Sequence, residues 1–277
     1  MSSWAPPTGA TSGRPAKTRG IRLRPSEVGL LAALGRPRAP VTRRPRVAIL
    51  STGDELVEPG RPAGPGQIYG SNAYAAYAQV LACGGEPLRM PAARDRLRDI
   101  STRLDKGLAW GADLFLTTGG VSAGKYDLVK KVLAMRGRLD FWQVRMQPGR
   151  PVAWGEVAGV PLLGLPGNPA SAMVAFLLFG RPAILKLLGQ RALRKPEVEA
   201  VLLEDAHGYP DRRRYLRAIV EEENGRYSAR LAGPQGAGIL TSLVRANGLA
   251  IIPEGTYPAA RAGTTVRVMM VDWPEIE

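Results

Sequence analysis

Cys83 and His207 are the only cysteine and the only histidine in 277 residues. One thiol excludes a disulfide framework and a Cys-rich zinc site. One imidazole leaves no set of histidine metal ligands and argues against Ser-His-Asp catalysis. Chemistry then rests on carboxylates, hydroxyls, backbone amides and cations. Long apolar runs are missing too. The longest clean one, Met173 to Phe179, falls far short of the roughly 20 residues that span a bilayer. The first 20 residues lack the apolar centre of a signal peptide.

Acids are scarce in one place. Residues 1–46 hold ten Lys or Arg against Glu27 alone, so they carry +9 of the net charge of +14 and leave +5 for the remaining 231 residues. The folded part is therefore only mildly basic. With no signature of a nucleic-acid recognition module, a solvated basic segment is favoured over a nucleic-acid partner. Residues 1–20 read as a disordered leader on a cytoplasmic protein rather than as an organelle transit peptide. Neither a membrane nor a nucleic acid is expected as a partner.

The hydrophobic share, 45%, is that of a globular chain, and the length suits two domains. Residues 21–44 read as a linker with a short helix over 25–34, begun by Pro25 and stopped by Gly35. Residues 45–190 alternate strand-like and helix-like segments. Strands are expected at 47–50, 86–90, 112–118 and 160–165, with an extended stretch at 141–146. Helices are expected over 73–82 with Ser71 or Asn72 as cap, over 96–110, over 126–135 and over 169–188. That order predicts an α/β domain with a mainly parallel sheet between two helix layers. Residues 196–277 change character, with short strands at 198–203, 214–220, 227–231, 249–252 and 265–271 and little helix. They predict a small all-β barrel or sandwich.

In an open parallel sheet, ligands bind beyond the carboxyl ends of the strands. Four such ends carry unusual residues: STGDE at 51–55, AARD at 92–95, TTGGVSAGKYD at 117–127 and LPGNPAS at 165–171. The third nearly spells a P-loop, since Gly119, Gly124 and Lys125 fit G-x-x-x-x-G-K, but Tyr126 stands where a magnesium-binding hydroxyl belongs. An NTPase would also need a Walker-B aspartate, which is not evident. Gly119 and Gly120 instead suit an anion cradle of backbone amides ahead of a helix, a simple structural turn being the alternative. Asp54, Glu55, Asp95 and Asp127 should lie around the same rim, where hard oxygen donors suit Mg²⁺ beside a phosphate. Asp95 and Asp127 could equally be helix caps, and Asp54 could merely hold its turn. Arg150 is placed to reach an anion, with a solvated arginine as the alternative. His207 reads as a surface loop residue and Cys83 as core.

At these loops the chain resembles the molybdopterin molybdenumtransferases, a family that includes the C-terminal enzyme part of gephyrin. The words that carry the resemblance are RPRVAILSTGDELVEPG, GQIYGSN, TTGGVSAGKYD, MQPGRP, LPGNPAS and GPQGAGILTSLVRANGLAIIPEG, in family order over residues 20–277. The resemblance implies a three-layer MoaB/Mog-like molybdopterin-binding domain followed by a small β-barrel domain. It implies Mg²⁺-dependent insertion of molybdate into adenylylated molybdopterin with release of AMP, the dithiolene and the metal supplying the reactivity. By matching position, Glu55, Asp95 and Asp127 resemble the family's catalytic acids, with Asp54 beside them as a metal ligand. Thr118, Gly119, Gly120, Ser122, Arg150, Pro166, Gly167, Asn168, Pro169 and Arg217 form the implied substrate-binding set. An active cleft between the α/β domain of one subunit and the barrel of its partner is implied, hence a homodimer, or a partner chain supplying a portion that family members carry ahead of this one.

The related adenylyltransferases typically read GGTG where this chain has GGVS and lack the barrel, which favours the transferase. A non-catalytic pterin-binding or scaffolding relative is the alternative. Five positions depart from the family pattern. Gly70 replaces an aspartate, Gln143 and Gln147 replace frequent lysines, Ala237 replaces a frequent serine, and Lys125 stands at an often acidic position.

Overall fold

The computed structural model describes residues 20, 22–119, 128–141 and 143–272. Gly120, Ser122, Lys125, Tyr126 and Asp127 therefore lie outside the described residues, as do residues 1–19 of the leader.

The chain opens with α1 (Pro25–Ala33). Then come β1 (Arg46–Ser51), β2 (Leu56–Val57), β3 (Ile68–Tyr69), α2 (Ser71–Ala82), β4 (Glu86–Arg89), α3 (Leu97–Trp110), β5 (Leu114–Thr118) and α4 (Leu128–Arg136). β6 (Gly137–Phe141), β7 (Met146–Gln147), β8 (Ala153–Val157), β9 (Val160–Leu165), α5 (Pro169–Ala175), a π-helical turn (Phe176–Gly180) and α6 (Arg181–Leu187) follow. The last part holds β10 (Glu197–Leu202), β11 (Ala206–His207), β12 (Arg213–Glu223), β13 (Arg226–Leu231), α7 (Thr241–Arg245), β14 (Gly248–Ile252), β15 (Ala259–Ala260) and β16 (Thr265–Met270).

The first sheet runs β4-β1-β5-β9-β8-β6, parallel from β4 to β9 and antiparallel beyond. The apolar runs that predict its inner strands are continuous because both faces are covered. In β1, Val47 and Ile49 pack with Val80, Phe176 and Ile184 on the side of α2 and α6. Ala48 and Leu50 pack with Leu104, Phe115 and Leu133 on the side of α3 and α4. The second sheet closes on itself, since β12 pairs with both β13 and β14 and the order β13-β10-β16-β14-β12 returns to β13. Inward residues of neighbouring strands, among them Leu202, Leu216, Val220, Ile252 and Val268, fill this barrel. An α/β domain with a mainly parallel sheet and a following β-barrel is thus observed.

Several local expectations are corrected. Gly70, not Ser71 or Asn72, is the N-cap of α2, so Ser71 lies within the first turn. Arg96, not Asp95, occupies the N-cap of α3. The stretch read as one helix over 169–188 contains the π turn, and Pro182, which has no N–H to donate, lies just beyond it after Arg181. That stretch is long and apolar enough to cross a membrane, yet half of its most apolar window is buried in this fold. Residues 141–146 do not form one extended stretch. β6 ends at Phe141, while Met146 and Gln147 leave the first sheet and pair in parallel with Arg213 and Arg214 of β12. β8, absent from the expectations, forms a hairpin with β9 across Ala158 and Gly159. Cys83 is only half-buried, at the C-cap of α2, and burial raises its thiol pKa. Inertness, not nucleophilicity, follows.

Candidate functional site

The strand-end loops lie side by side because the hydrogen-bond ladder continues past the strands. Thr52 N donates to Thr118 O at 3.1 Å, Ala93 N to Ser51 O at 2.9 Å, Gly53 N to Ala93 O at 3.2 Å and Gly119 N to Leu165 O at 3.2 Å. The rim therefore runs 93–95, 52–55, 118–119, 165–168. Gly119 has φ +86°, and a Cβ there would lie 2.8 Å from the Thr52 carbonyl oxygen. Only glycine lets β1 and β5 approach so closely at their ends.

Hydroxyls floor the rim. Ser51 Oγ and Thr118 Oγ1 share a buried hydrogen bond of 2.7 Å. Thr52 Oγ1 and Thr117 Oγ1 are buried without a hydrogen-bond partner among the described residues. Unpaired buried donors are costly, and next to an open glycine loop they suit a polar ligand.

Carboxylates stand at one end. The Asp95 backbone N–H donates to Asp54 Oδ1 at 3.2 Å, which fixes the two loops to each other. Partial burial, then the charges of Asp54 and Glu55, push the Asp95 carboxyl above the usual range. Glu55 folds back over Gly53, where an added Cβ would meet its Oε2 at 2.6 Å. Its carbonyl meanwhile accepts from Ile68 N at 2.9 Å. Glu58 holds the outer end of this loop: it accepts from Tyr74 Oη at 2.7 Å and from Arg89 at 2.8 Å. Among the described residues no group of three or more His, Cys, Asp or Glu is arranged to hold a metal. The donors present are nonetheless hard oxygens, and Mg²⁺ needs only one or two carboxylates because it keeps much of its water. They fit that ion.

At the other end, Pro166, Gly167, Asn168 and Pro169 form the turn from β9 into α5. Pro169 occupies the first turn, where a missing N–H costs nothing. The Asn72 side chain donates to Gly167 O at 2.6 Å and clamps this turn to α2. Ala170 N donates to Ala237 O at 3.0 Å. A loop of the barrel domain of the same chain thus reaches the rim.

Arg217 is placed differently from a free ligand-binding arginine. It is fully buried, and it donates to Ser242 Oγ at 3.0 Å, Pro234 O at 3.1 Å and Gly236 O at 3.0 Å. One terminal nitrogen has no hydrogen-bond partner among the described residues, and burial lowers the guanidinium pKa. Arg217 pins the loop that carries Ala237. Arg150 is exposed on the 143–150 segment, where its carbonyl accepts from Val144 N, and its neighbour Gly149 lies against the first turn of α5, where an added Cβ would be 3.5 Å from Ser171 O. Asn72, Thr52 and Thr117 were not among the expected site residues. An Asn in the first turn of a helix ahead of a glycine-proline loop was the only hint.

The fold and this rim place the chain among the open α/β proteins whose ligands sit beyond the carboxyl ends of parallel strands. Residues 48–186 match the family described as probable molybdopterin binding domain, and residues 199–271 match the MoeA C-terminal region (domain IV). Molybdopterin molybdenumtransferase 2 of Mycobacterium tuberculosis H37Rv is 40% identical over 250 residues, 88% of this chain and 61% of that protein. The molybdopterin molybdenumtransferase of Nostoc is 39% identical over 247 residues, 87% of this chain and 56% of its own. A solved molybdopterin biosynthesis MoeA protein of Pyrococcus horikoshii superposes with a TM-score of 0.78 at 31% identity, over 91% of this chain and 61% of that one.

The chain belongs to the molybdopterin-binding domain family, and joins that domain to the C-terminal region of the molybdopterin molybdenumtransferases. It spans about three fifths of the length of these relatives.

Proposed function

We propose that the chain acts in molybdenum cofactor biosynthesis, inserting molybdate into adenylylated molybdopterin with release of AMP, in the cytoplasm. The observation that carries this reading is the junction at the rim. A glycine loop, a carboxylate cluster and a barrel loop meet there in a chain matched along both domains by molybdenumtransferases.

Each part has a task in that reaction. The loop opened by Gly119, whose own N–H is engaged with Leu165 O, and the first turn of α5 are assigned to the phosphate, aided by Thr118 and Asn168, while Pro166, Gly167 and Pro169 keep the turn in shape. Thr52 and Thr117 offer the hydroxyls for the ligand that their burial leaves unsatisfied. Asp54, Glu55, Asp95 and Asp127 are the residues that would hold Mg²⁺, which when bound offsets the phosphate's charge. Burial and the charges of Asp54 and Glu55 raise the Asp95 pKa, and Asp95 is the carboxyl assigned to carry a proton. Glu55, Asp95 and Asp127 form the catalytic set, with Gly120 and Ser122 extending the cradle. A second copy of the chain, or a partner chain, completes the assembly.

Purified protein given adenylylated molybdopterin, molybdate and Mg²⁺ should release AMP, and Glu55→Ala should abolish the release. Release unchanged by Glu55→Ala would remove the carboxylates from the mechanism. Tight binding of molybdopterin without any release of AMP would assign a non-catalytic pterin-binding role instead.

A further inference from the structure

Asp54 and Glu55 open an excursion that leaves the main sheet after β1 and ends at the start of α2. Its regular structure is the parallel pair β2–β3, two residues on each strand and separate from the six-stranded sheet. Ile68 and Tyr69 are exposed, and Leu56 and Val57 are only half-buried, so little apolar burial holds the pair in place. A two-stranded ribbon is marginal in water even when longer than this. Backbone bonds from Ile68 N to Glu55 O at 2.9 Å and from Gly70 N to Val57 O at 3.0 Å join the two strands only to each other. Anchors from outside the ribbon must then fix where the carboxylates stand.

On the inner side that anchor is the Asp95 N–H on Asp54 Oδ1 at 3.2 Å. On the outer side it is Glu58, directly after β2. Its Oε2 accepts from Tyr74 Oη at 2.7 Å, and its two oxygens accept from Arg89 Nη1 at 2.8 and 3.1 Å. The Arg89 guanidinium also lies over the Tyr74 ring, 4.4 Å from its centroid. Each of the three side chains therefore touches the other two. A lone half-exposed ion pair contributes little. A closed set that adds a charge-assisted hydroxyl bond and a stacked cation holds one geometry. Its corners come from the parts that build the rim. Glu58 follows the loop of Asp54 and Glu55, and Arg89 ends β4 ahead of the loop that carries Asp95. Tyr74 stands in the first turn of α2, two residues after Asn72, which clamps the turn at Gly167. One helical turn thus grips both ends of the rim.

We propose that Glu58, Tyr74 and Arg89 are positioning residues for the divalent cation of the rim, holding Asp54 and Glu55 where they can share that cation with Asp95. The inference rests on the assignment of Mg²⁺ to these carboxylates in the proposed function. Without the clamp, cation binding would carry the cost of ordering the loop, and affinity would fall.

Mn²⁺ alone, titrated into the full substrate-free chain and followed by loss of the free-ion paramagnetic resonance signal, tests this. Tyr74→Phe removes a hydroxyl and no charge, so the long-range attraction for the cation is unchanged. It should weaken Mn²⁺ binding by about threefold, and Glu58→Ala by about tenfold. Tyr74→Phe added to Glu58→Ala should weaken binding no further, because both act through one contact. Glu58→Gln keeps an oxygen acceptor and should fall between the parent and Glu58→Ala at ionic strength high enough to screen the lost charge. In turnover, the Mg²⁺ concentration for half-maximal AMP release should rise by the same factors, with the rate at saturating Mg²⁺ near that of the parent. A parent chain that takes up no Mn²⁺, or a Tyr74→Phe chain that binds it as the parent does whatever its melting temperature, overturns the proposal. So does a Glu58→Ala effect that vanishes at high salt. Should Glu58→Ala fail to fold, Tyr74→Phe and Glu58→Gln carry the test. Absence of AMP release in a parent whose Mn²⁺ binding responds as described would count against the proposed function and leave the clamp standing.

Discussion

Two residues of the rim carry the sharpest tests. Gly119 holds φ +86° with its missing Cβ aimed at the Thr52 carbonyl oxygen, so Gly119→Ala combines backbone strain with a 2.8 Å collision. A cost of about 1–3 kcal/mol in denaturant unfolding is expected, and an unchanged midpoint would show that the loop can refit. Asp95 has its pKa above the unfolded value, so the folded chain holds that proton more firmly. The group's stabilising contribution is full below the unfolded pKa and is lost as pH rises through the folded one. In metal-free buffer at neutral pH, Asp95→Asn should therefore melt higher than the parent, and the gap should close in acid. Mg²⁺ should narrow it by stabilising the parent more than the variant. A variant that melts lower in chelator at neutral pH contradicts this account. Arg217 teaches the complementary lesson. Its basic character was visible in YLRAIV, but its complete burial depends on Pro234, Gly236 and Ser242, which fold over it from up to 25 residues away.

Elements explain which parts of the fold were legible. β1, β5 and β9 are apolar runs bounded by glycine or proline, and burial on both faces made them readable from local sequence. β8 reads AWGEV, and its buried and half-buried positions alternate, so it lacks the continuous apolar run of its neighbours. β7 is two residues long and owes its existence to β12, a partner more than sixty residues away that no local pattern announces. The ladder continuing past the strands made the four loops adjacent, and that much of the site followed from the parallel order alone. The clamp from Asn72 did not, because it is a side-chain contact across 95 residues. Helix packing offers its own test at Gly107, buried in α3. Glycine to alanine within a helix gains about 1 kcal/mol of propensity, but a Cβ here would collide with Phe115 Cε1 and lie 2.9 Å from its Cζ. Overpacking of this kind costs about 1–3 kcal/mol, so Gly107→Ala should destabilise on balance. A rise in melting temperature would mean that Phe115 moves aside freely.

At the scale of the whole molecule, the barrel is built onto the α/β domain. Besides β7 in its sheet and the Ala170–Ala237 hydrogen bond, a separate apolar cluster crosses the junction. Met146 and Val174 from one side pack with Leu249, Ile251 and Met269 from the other. Leu249 is fully buried there, on the face of β14 opposite the barrel interior. If this cluster couples the two parts, the full chain should unfold in a single calorimetric transition. Leu249→Ala removes apolar volume from the shared cluster rather than from either interior, and a buried Leu→Ala change costs about 2–5 kcal/mol. Because both parts draw on that cluster, the loss should appear as a split or broadened transition, with amides of α5 and of β14 exchanging faster together. A parent chain that already melts in two separated steps, or a variant that speeds exchange only within the barrel, would show the halves to be independent. The meeting of the first turn of α5 with Ala237 would then not depend on this cluster. Coupling is what the proposed chemistry needs, since the phosphate cradle and the barrel loop must keep one geometry while the ligand is bound.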